Sequence, residues 1–583
     1  MSSLEPEDAA TALPNTGAPQ SRLSYETARR LLHPTWDIIL LVWLVRISAV
    51  INLISAFHED TGSFFSGLVS QIPFEISEGR QVRLFLLSAV LFILASGLAR
   101  GKRAAWICTL ATLAIIPVVH LGHDISWIEV ITNLFLIGLL IYQRRFFVAA
   151  SDRQSVRSAL IICPLLGVLL LVFGTVRLHD LRDETSGSDD WLACFQTAGE
   201  LEFTQDSQTQ QPETFATARF FSILCISGTL IALLGLFLLL RPVLSQKRVQ
   251  DANREKARRL IDEHGEEPFD AYALLHDKRY FFTAHDEAVI PYVVSDDIAV
   301  ALADPIGPDE YRALAIVDFA LFCRHQDWEP VFYAASEELA SSYKQAGLSM
   351  FKIGEGARLQ ADNFHLKGHV FQNLRTLRNG AHRRGIRFLW YEAKSGVDEP
   401  LEHQLAEVSH RWLETKHARE MAFDMGAFSV NDIRQNGAAI ALDATGKAIA
   451  FATWRPFAQD RGRALDLMRT LPEARNVMDF VLIESITRFN SQGITRINLG
   501  LAPLANTEKS PSRLVAEEKV VQFLFENLNY LYNYKSLFEF KRKYRPHWRG
   551  RYVAYRRGVH LPLVGLALVR VHAPKGIWKF FTR

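Results

Sequence analysis

The sequence lacks the residue clusters that build disulfide frameworks and structural metal sites. Its 583 residues include five cysteines, which are far apart and odd in number: Cys108, Cys163, Cys194, Cys225 and Cys323. No two of them form a CxxC pair, and no histidine lies beside them at ligand spacing. The pattern excludes a small disulfide-stapled protein and a zinc ribbon, and it predicts no metal site.

An excess of one charge is also missing. The chain has 65 Lys and Arg residues against 63 Asp and Glu residues, a formal net charge of +2. Overall charge therefore does not favour a nucleic-acid-binding protein, and any basic surface must be local. The amino-terminal residues lack the basic start, apolar stretch and small-residue site of a signal peptide. We expect residues 1–35 to form a disordered cytoplasmic tail.

Long apolar runs dominate the first 240 residues or so. Six of them approach or reach the ~20 residues that a helix needs to cross a bilayer. They are Ile38 to Phe57, Leu84 to Ala99, Ala104 to Gly122, Ile125 to Tyr142, Ser158 to Val176 and Phe220 to Leu240. This pattern predicts an α-helical transmembrane bundle of six spans over residues 36–242.

Charges between the runs predict the orientation of the bundle. Lys and Arg are concentrated after the second, fourth and sixth runs, whereas residues 177–219 are acidic. Because basic loops stay on the cytoplasmic side, the amino terminus and everything after the sixth span should be cytoplasmic. We therefore expect a multi-pass protein of the cell membrane, with a basic linker at 243–262.

The remaining sequence alternates short apolar strands with helical stretches, as α/β or α+β domains do. The predicted elements include paired strands at 288–294 and 298–302, a helix at 310–324, a hairpin around Thr445 and Gly446, and a helix at 477–490. The region exceeds one average domain. We predict two units, at 263–398 and 399–583, the second with a basic tail.

One segment of this region carries many basic residues and no acidic ones. Residues 363–391 contain no Asp or Glu, and their cations include Lys367, Arg375, Arg378, Arg383 and Arg384. Such a segment favours contact with phosphate, either of RNA or of an anionic lipid. A solvated helix face is the alternative, and charge alone does not separate the partners.

Three further polar residues flank a predicted strand end and helix start. Asp466 and Arg469 end one predicted strand, and Asp479 opens the following helix. Ligands of α/β proteins bind at such positions because polar groups are rigidly mounted there. A structural role is equally open for Asp479, since Asn476 could cap the helix and an acid suits its first turn.

The segment from Arg434 to Ala439 superficially resembles the loop with which acetyltransferases bind coenzyme A. That loop should follow a strand and open a helix, yet here a predicted hairpin follows it.

Several short motifs, taken in order, resemble one family. They are Ala303-Asp304-Pro305-Ile306-Gly307, Lys352-Ile353-Gly354-Glu355, Leu366-Lys367-Gly368 with Arg375 and Asn379, Trp412 with Phe423, Gly426 and Phe428, Asp466-Leu467-Met468-Arg469, Met478-Asp479-Phe480, Leu499 to Leu504, and Phe538 to Trp548. Between about Phe269 and Tyr555 the chain is similar to the synthase domain of phosphatidylglycerol lysyltransferases, the multiple peptide resistance factor family.

The resemblance implies two tandem acetyltransferase-like (GNAT) folds and transfer of an aminoacyl group, most often lysyl, from aminoacyl-tRNA to phosphatidylglycerol. Such a product would change membrane surface charge and resistance to cationic peptides. The donor ester is already activated, so no cofactor is expected. Partners would be aminoacyl-tRNA, phosphatidylglycerol or another anionic lipid, and the membrane; a homo-oligomer is allowed but not required.

For this reaction we hypothesise roles for individual residues. Asp466 or Asp479 would bind the substrate ammonium or handle the proton, and Arg469 would stabilise phosphate or developing negative charge. A further group of residues would contact tRNA or lipid phosphate: Lys541, Lys543, Arg545 and Trp548. The sequence departs from the family at Ala303, where glycine is usual, and we expect a smaller bundle and no fused lysyl-tRNA synthetase.

Two other functions stay open from sequence. A membrane-anchored protein of the same fold could bind lipid or RNA for regulation without catalysis. An acyl-coenzyme A dependent N-acyltransferase is the third option, which the position of the glycine in the Arg434 to Ala439 segment weakens.

Overall fold

The computed structural model describes residues 36–57, 90–119, 127–149, 153–186, several positions between 227 and 238, 250–416, 420–503, 534–556 and 561–572. The chain divides into two compact units. One comprises His33–Gln246 with Arg324–Trp328, and the other comprises Met1–Leu32, Lys247–Cys323 and Glu329–Arg583. The predicted tail at 1–35 lies outside the described residues.

The first of these units is helical where it is described. Its helices are α1 (Trp36–Phe57), α2 (Arg103–Val119), α3 (Trp127–Tyr142) and α4 (Arg153–Ser186), and residues 90–99 are also helical. The predicted runs 38–57 and 158–176 fall within α1 and α4, and the described parts of the runs 104–122 and 125–142 fall within α2 and α3. None of the helices, over the residues that the structure describes, combines the length and apolar composition needed to cross a membrane. The six-span bundle stays a prediction.

The other unit contains one sheet of eleven strands. They are β1 (Arg279–Phe282), β2 (Val289–Ser295), β3 (Ile298–Leu302), β4 (Glu329–Ser336), β5 (Leu348–Gln360), β6 (Arg387–Tyr391), β7 (Ala438–Leu442), β8 (Ala448–Phe457), β9 (Gly462–Thr470), β10 (Arg496–Pro503) and β11 (His547–Arg556). Their order in the sheet is β1-β2-β3-β4-β11-β5-β10-β9-β8-β7-β6.

Helices connect and cover these strands. They are α5 (Gln250–His264), α6 (Asp309–His325), α7 (Ala340–Gln345), α8 (Gln372–Arg383), α9 (Glu399–Lys416), α10 (Val430–Asn436), α11 (Val477–Ser491), α12 (Tyr534–Arg542) and α13 (Leu561–His572). The paired strands β2 and β3, helix α6, the β7-β8 hairpin and helix α11 confirm the predicted elements at those positions.

A topological pattern occurs twice along the sheet. Antiparallel strands β1 to β3 are followed by α6 and by β4, which is parallel to β3. Antiparallel strands β6 to β9 are followed by α11 and by β10, which is parallel to β9. This repetition agrees with two tandem acetyltransferase-like units, and the predicted α/β character is confirmed.

Strands from the two halves of the sequence interleave in the sheet. Strand β11, near the carboxyl end, lies between β4 and β5, and β6 pairs with β7 across the predicted boundary at 398. Each half therefore contributes a strand to pairing partners in the other. The division into 263–398 and 399–583 stays a prediction.

Two large apolar clusters hold the sheet and its helices together. One contains Trp454, Phe480, Ile483 and Phe489, which join β8 to α11. The other joins β3, β4 and β11 to α13 through Val300, Val331, Val553, Val564 and Leu568. Their buried side chains supply the main favourable free energy of folding and leave the polar groups near β9 rigidly mounted.

Candidate active site at strand β9

Strands β9 and β10 pair for a short distance and then separate. Residues 496–498 of β10 pair with 462–464 of β9, whereas residues 501–503 pair, among the described strands, with β5 alone. The register of β10 shifts between Asn498 and Leu501, where Gly500 has a φ of +83°. The sheet therefore opens beside residues 465–470 of β9, which carry Asp466 and Arg469.

Asp466 is the centre of a buried polar cluster. One carboxylate oxygen accepts a hydrogen bond of 2.7 Å from the backbone N–H of Gly426, and the other accepts one of 2.9 Å from Arg455 Nε. Arg455 also donates to Asp432 at 2.8 Å. Burial raises the pKa of Asp466, although Arg455 opposes the shift. Both carboxylate oxygens of Asp466 are therefore hydrogen-bonded to groups of the protein itself.

Arg469 has a different set of neighbours. Its Nη2 donates to Glu420 Oε2 at 2.8 Å, and its guanidinium lies 4.0 Å from the ring centroid of Trp412. The side chain is buried except at its edges, with 5% of the residue exposed. A planar cation stacked on an indole and held by a carboxylate is well fixed in orientation.

Asp479 forms a third set of contacts in the first turn of α11. Its carboxylate accepts hydrogen bonds from Lys543 at 3.1 and 3.2 Å and from the Tyr544 hydroxyl at 3.0 Å. Asn476 is in the left-handed conformation and makes no side-chain capping bond, so this part of the structural alternative for Asp479 is not observed. The acid in the first turn instead joins α11 to the segment after α12.

The structure therefore distributes the predicted catalytic side chains over three sets of contacts rather than one. Asp466 and Arg469 share strand β9 and are both linked to the segment 420–426, through Gly426 and Glu420. Asp479 is instead bonded to Lys543, in the segment between α12 and β11. The roles of all three stay predictions.

The basic segment is partly internal to the fold. Arg378 forms two hydrogen bonds, of 2.6 and 3.1 Å, to Glu484 of α11, and Arg375 donates to the carbonyl oxygens of Leu366 and Gly368. These two cations are used in holding α8 in place. The missing acid is supplied from a helix about 100 residues later, which counting charges within the segment could not reveal.

The other cations of this segment face solvent. Lys367, Arg383 and Arg384 are exposed, and Arg384 also donates to the carbonyl oxygen of Arg475 at 3.2 Å. These three cations remain available for phosphate contact. The surface that could bind phosphate therefore has fewer cations than the sequence indicated.

The predicted phosphate-binding cations Lys541, Lys543 and Arg545 do not form one surface. Lys541 lies at the end of α12, and Arg545 lies in the segment between α12 and β11. Lys541 is buried, and its Nζ donates to the carbonyl oxygen of Leu501 at 2.8 Å. Lys543 binds Asp479, whereas Arg545 is exposed. The predicted contact of these cations with phosphate stays a prediction.

Trp548 also has a packing role. Its ring lies 4.8 Å from that of Phe538, centroid to centroid, and it packs against the apolar cluster of β8 and α11.

Burial lowers the pKa of Lys541 to about 7. A buried amine that is half neutral near physiological pH, beside the opening between β9 and β10, could accept or donate a proton there.

Several polar residues around the Asp466 cluster are not predicted from the sequence. Tyr272 donates to the carbonyl oxygen of Leu465 at 2.9 Å, and Lys278 donates to that of Phe423 at 2.8 Å. Arg455 could have been noticed, because a cation within the apolar strand Ala448–Phe457 needs a partner. The other two lie in the first half of the chain, and no local pattern relates them to β9.

The segment from Arg434 to Ala439 does not have the geometry of a coenzyme A loop. Arg434 forms two hydrogen bonds to Glu402, and the segment ends α10 and leads into β7 instead of opening a helix. Among the described residues, no group of three or more His, Cys, Asp or Glu side chains is arranged to hold a metal ion.

Comparison with known proteins places this region in a family. The family model described as phosphatidylglycerol lysyltransferase, C-terminal, matches residues 258–555, more than half of the chain. The chain is 29% identical over 351 residues to a phosphatidylglycerol lysyltransferase of Bacillus subtilis, which covers 58% of this chain and 40% of that protein. It is 24% identical over 507 residues to the lysylphosphatidylglycerol biosynthesis bifunctional protein LysX of Mycobacterium bovis, which covers 83% and 42% of the two chains.

A solved structure is also similar, that of L-PGS from Bacillus licheniformis. Its identity is 27%, its TM-score is 0.47, and the match covers 56% of this chain and 99% of that one. The chain spans less than half the length of the Bacillus subtilis and Mycobacterium bovis relatives. The match of the family model over more than half of the chain shows that the protein belongs to the phosphatidylglycerol lysyltransferase C-terminal family.

Proposed function

We propose that this protein transfers an aminoacyl group, lysyl in the first instance, from aminoacyl-tRNA to a hydroxyl group of phosphatidylglycerol. The family match and the names of the relatives support the lysyl group and the lipid. The observation that carries the proposal is the opening between β9 and β10, flanked by Asp466 and Arg469 of the family-like motif on β9.

The reaction needs no activation of the donor. The lipid hydroxyl oxygen forms a bond to the aminoacyl carbonyl carbon, the bond from that carbon to the ribose oxygen of the tRNA breaks, and the hydroxyl proton passes to the ribose oxygen. The protein must bring the two substrates together, relay this proton and stabilise the negative charge on the carbonyl oxygen.

The described groups can meet these needs. The stacked guanidinium of Arg469 is a fixed positive charge suited to the oxyanion or to a phosphate. Lys541, whose pKa is lowered to about 7 by burial, suits proton relay. Asp466, with its raised pKa, keeps Arg455 and the backbone at Gly426 in place. Asp479 orients Lys543 and Tyr544.

Capture of the two polyanionic substrates would use the exposed cations Lys367, Arg383, Arg384 and Arg545. Phosphate contacts of this kind release counterions and act mainly on association. The proposed location is the cell membrane, with six spans over residues 36–242 and both the amino terminus and the catalytic region in the cytoplasm. This location places the enzyme at the surface that carries its lipid substrate.

Lipid analysis tests the reaction. The chain is expressed in a host without aminoacylated lipids, and total lipids are examined by mass spectrometry for lysyl-phosphatidylglycerol. Arg469→Ala should lower the activity of the purified protein on lysyl-tRNA and phosphatidylglycerol at least 100-fold, and Asp466→Asn should behave similarly, because fixed charge is lost near the reacting ester. Arg411→Ala, which removes an exposed pair with Glu473, is the matched control.

The outcomes separate the competing functions. A new lipid with another amino acid would keep the reaction and change the donor. Absence of any aminoacylated lipid, with the protein folded and in the membrane, would favour a binding or regulatory protein. Full activity of the purified Arg469→Ala or Asp466→Asn protein would remove that residue from the site.

Reporter fusions test the membrane arrangement. Fusions at Arg103 and after Arg241 should report the cytoplasm, and fusions between Ser186 and Gln211 should report the outer side, because Lys and Arg stay inside. A cytoplasmic signal from the acidic segment would contradict six spans.

A further inference from the structure

One short segment touches both predicted catalytic residues of β9. The 420–426 loop (Glu420 to Gly426) lies between α9 and α10, and its first residue binds Arg469 while the N–H of its last residue binds Asp466. A Cβ on Gly426 would lie 2.5 Å from Asp466 Oδ2, so the backbone here approaches the carboxylate closely. The position of this loop therefore sets the surroundings of both side chains.

One residue of the loop has a backbone conformation that bulky residues rarely adopt. Phe423 is fully buried and has a φ of +79°, in the left-handed region. For a bulky residue this conformation costs ~1–2 kcal/mol, and it persists only where surrounding contacts impose it. The contacts that hold the middle of the loop consequently matter for its position.

Two of those contacts are made by the side chain of Asp424. Its Oδ2 accepts a hydrogen bond of 3.0 Å from the Tyr333 hydroxyl, and its Oδ1 lies 3.3 Å from His572 Nε2. The backbone N–H of Ala422 donates to the carbonyl oxygen of His572 at 3.0 Å. The ring of His572 packs edge-on against Phe423. His572 thus contacts the loop in three ways: its imidazole faces the Asp424 carboxylate, its carbonyl oxygen accepts a backbone hydrogen bond, and its ring packs on Phe423.

His572 and Asp424 form a buried ion pair. Burial disfavours the charged imidazole, but Asp424 outweighs it and raises the pKa of His572. Burial likewise opposes the carboxylate, yet His572 and Tyr333 hold the pKa of Asp424 below its usual value. Nδ1 of His572 lies 2.6 Å from the Leu568 carbonyl oxygen, which orients the ring. Removing one partner of such a pair leaves a buried charge uncompensated.

The histidine comes from outside the region that matches the family model. It is the last residue of α13 (Leu561–His572), whereas the match ends at residue 555. The apolar face of α13, with Leu561, Val564 and Leu568, packs in the cluster of β3, β4 and β11. A helix anchored in the first half of the sheet therefore reaches the loop beside β9.

We propose that helix α13 positions the 420–426 loop through the His572–Asp424 ion pair, and that His572 is thereby a positioning residue for aminoacyl transfer. The proposal rests on the proposed function. Loss of the pair lets the loop relax from its left-handed conformation and moves Glu420 and Gly426, which in turn displaces Arg469 and Asp466. Misplacement near the reacting ester lowers kcat more than it raises KM.

Two measurements on the full-length protein in detergent test the proposal. The variants are His572→Phe, which keeps a ring but removes the pair, His572→Gln, which keeps a donor, and Asp424→Asn, which removes the charge from the other side. Arg570→Ala is the control, because it lies on the same helix and removes only an exposed pair with Asp296. The first measurement is kcat and KM with lysyl-tRNA and phosphatidylglycerol; the second is hydrogen exchange of the 420–426 loop.

His572→Phe should lower kcat at least 10-fold with KM changed less than threefold, and should speed exchange of the loop amides at least 10-fold. His572→Gln should recover part of both losses, and Arg570→Ala should resemble the unchanged protein. If His572→Phe does not fold, Asp424→Asn is expected to give the same two results. Unchanged exchange in the folded variants, or faster exchange with unchanged kcat, would overturn the proposal. If the unaltered protein makes no aminoacylated lipid, the proposed function fails, and exchange alone decides whether His572 holds the loop.

Discussion

Lys541 offers a stability measurement that depends directly on its buried position. The residue is 3% exposed, and its Nζ donates to the carbonyl oxygen of Leu501. Burial lowers the pKa of its ammonium from 10.5 to about 7. In the unfolded chain the amine is in water and has its ordinary pKa, so the unfolded state binds more protons between these two values.

The sign and size of the effect follow from this difference. Because the unfolded state binds more protons, the free energy of unfolding rises with pH between about 7 and 10.5, and the whole penalty is present below about pH 7. At ~1.4 kcal/mol for each tenfold change, the full penalty is about 5 kcal/mol. Between about pH 7 and about pH 9.5 the protein should regain about 3 kcal/mol of it.

Replacing Lys541 by Met isolates this contribution. Lys541→Met keeps the length of the side chain and removes its titration, so the variant should be more stable than the unchanged protein at neutral pH, with an advantage that shrinks by about 3 kcal/mol by about pH 9.5. Other buried groups titrate in this range, Lys278 among them, but they contribute equally to both proteins.

Urea denaturation followed by tryptophan fluorescence at several pH values measures the difference. Lys447→Met is the control, since that lysine is exposed and its ammonium stays in water in both states. Its stability difference should not depend on pH. If the difference for Lys541→Met is equally constant, the amine is not buried in the folded protein and the reasoning is refuted.

Two further substitutions test other features. Ala303 has a φ of +57°, so Ala303→Gly should raise the free energy of unfolding by about 0.5–1 kcal/mol in the same assay; destabilisation would show that the side chain is needed there. Arg378→Gln should lower that free energy by about 1–2 kcal/mol because Glu484 loses both hydrogen bonds, whereas Arg383→Gln should change it by less than about 0.5 kcal/mol and instead weaken the salt dependence of KM. Equal effects of the two arginine substitutions on stability would contradict this division.

Local pattern was sufficient for many elements of the sheet region. The alternation of apolar residues and the turn at Asp296 predict the β2-β3 hairpin, and the apolar period predicts helix α11. The strand carrying Asp466 and Arg469 was also predicted, and the structure confirms it as β9. These features depend on residues close together in the chain, so the sequence contains their physical causes directly.

Charge counts were less informative, because the partner of a charge can be distant in sequence. Arg378 was predicted to bind phosphate, but Glu484, which is 106 residues away, satisfies its guanidinium. Lys541 was predicted to contact phosphate, and the structure buries it at the end of α12. No window of neighbouring residues records either fact.

The sequence by itself determined the family resemblance, the α/β character and the motif on β9. Only the tertiary structure decided that β11 inserts between β4 and β5, that the sheet opens beside β9, and that His572 reaches Asp424 across 148 positions of sequence. The physical reason is that propensity and periodicity act within a few turns or strands, whereas strand order and buried ion pairs depend on which apolar surfaces pack together once the whole chain has folded.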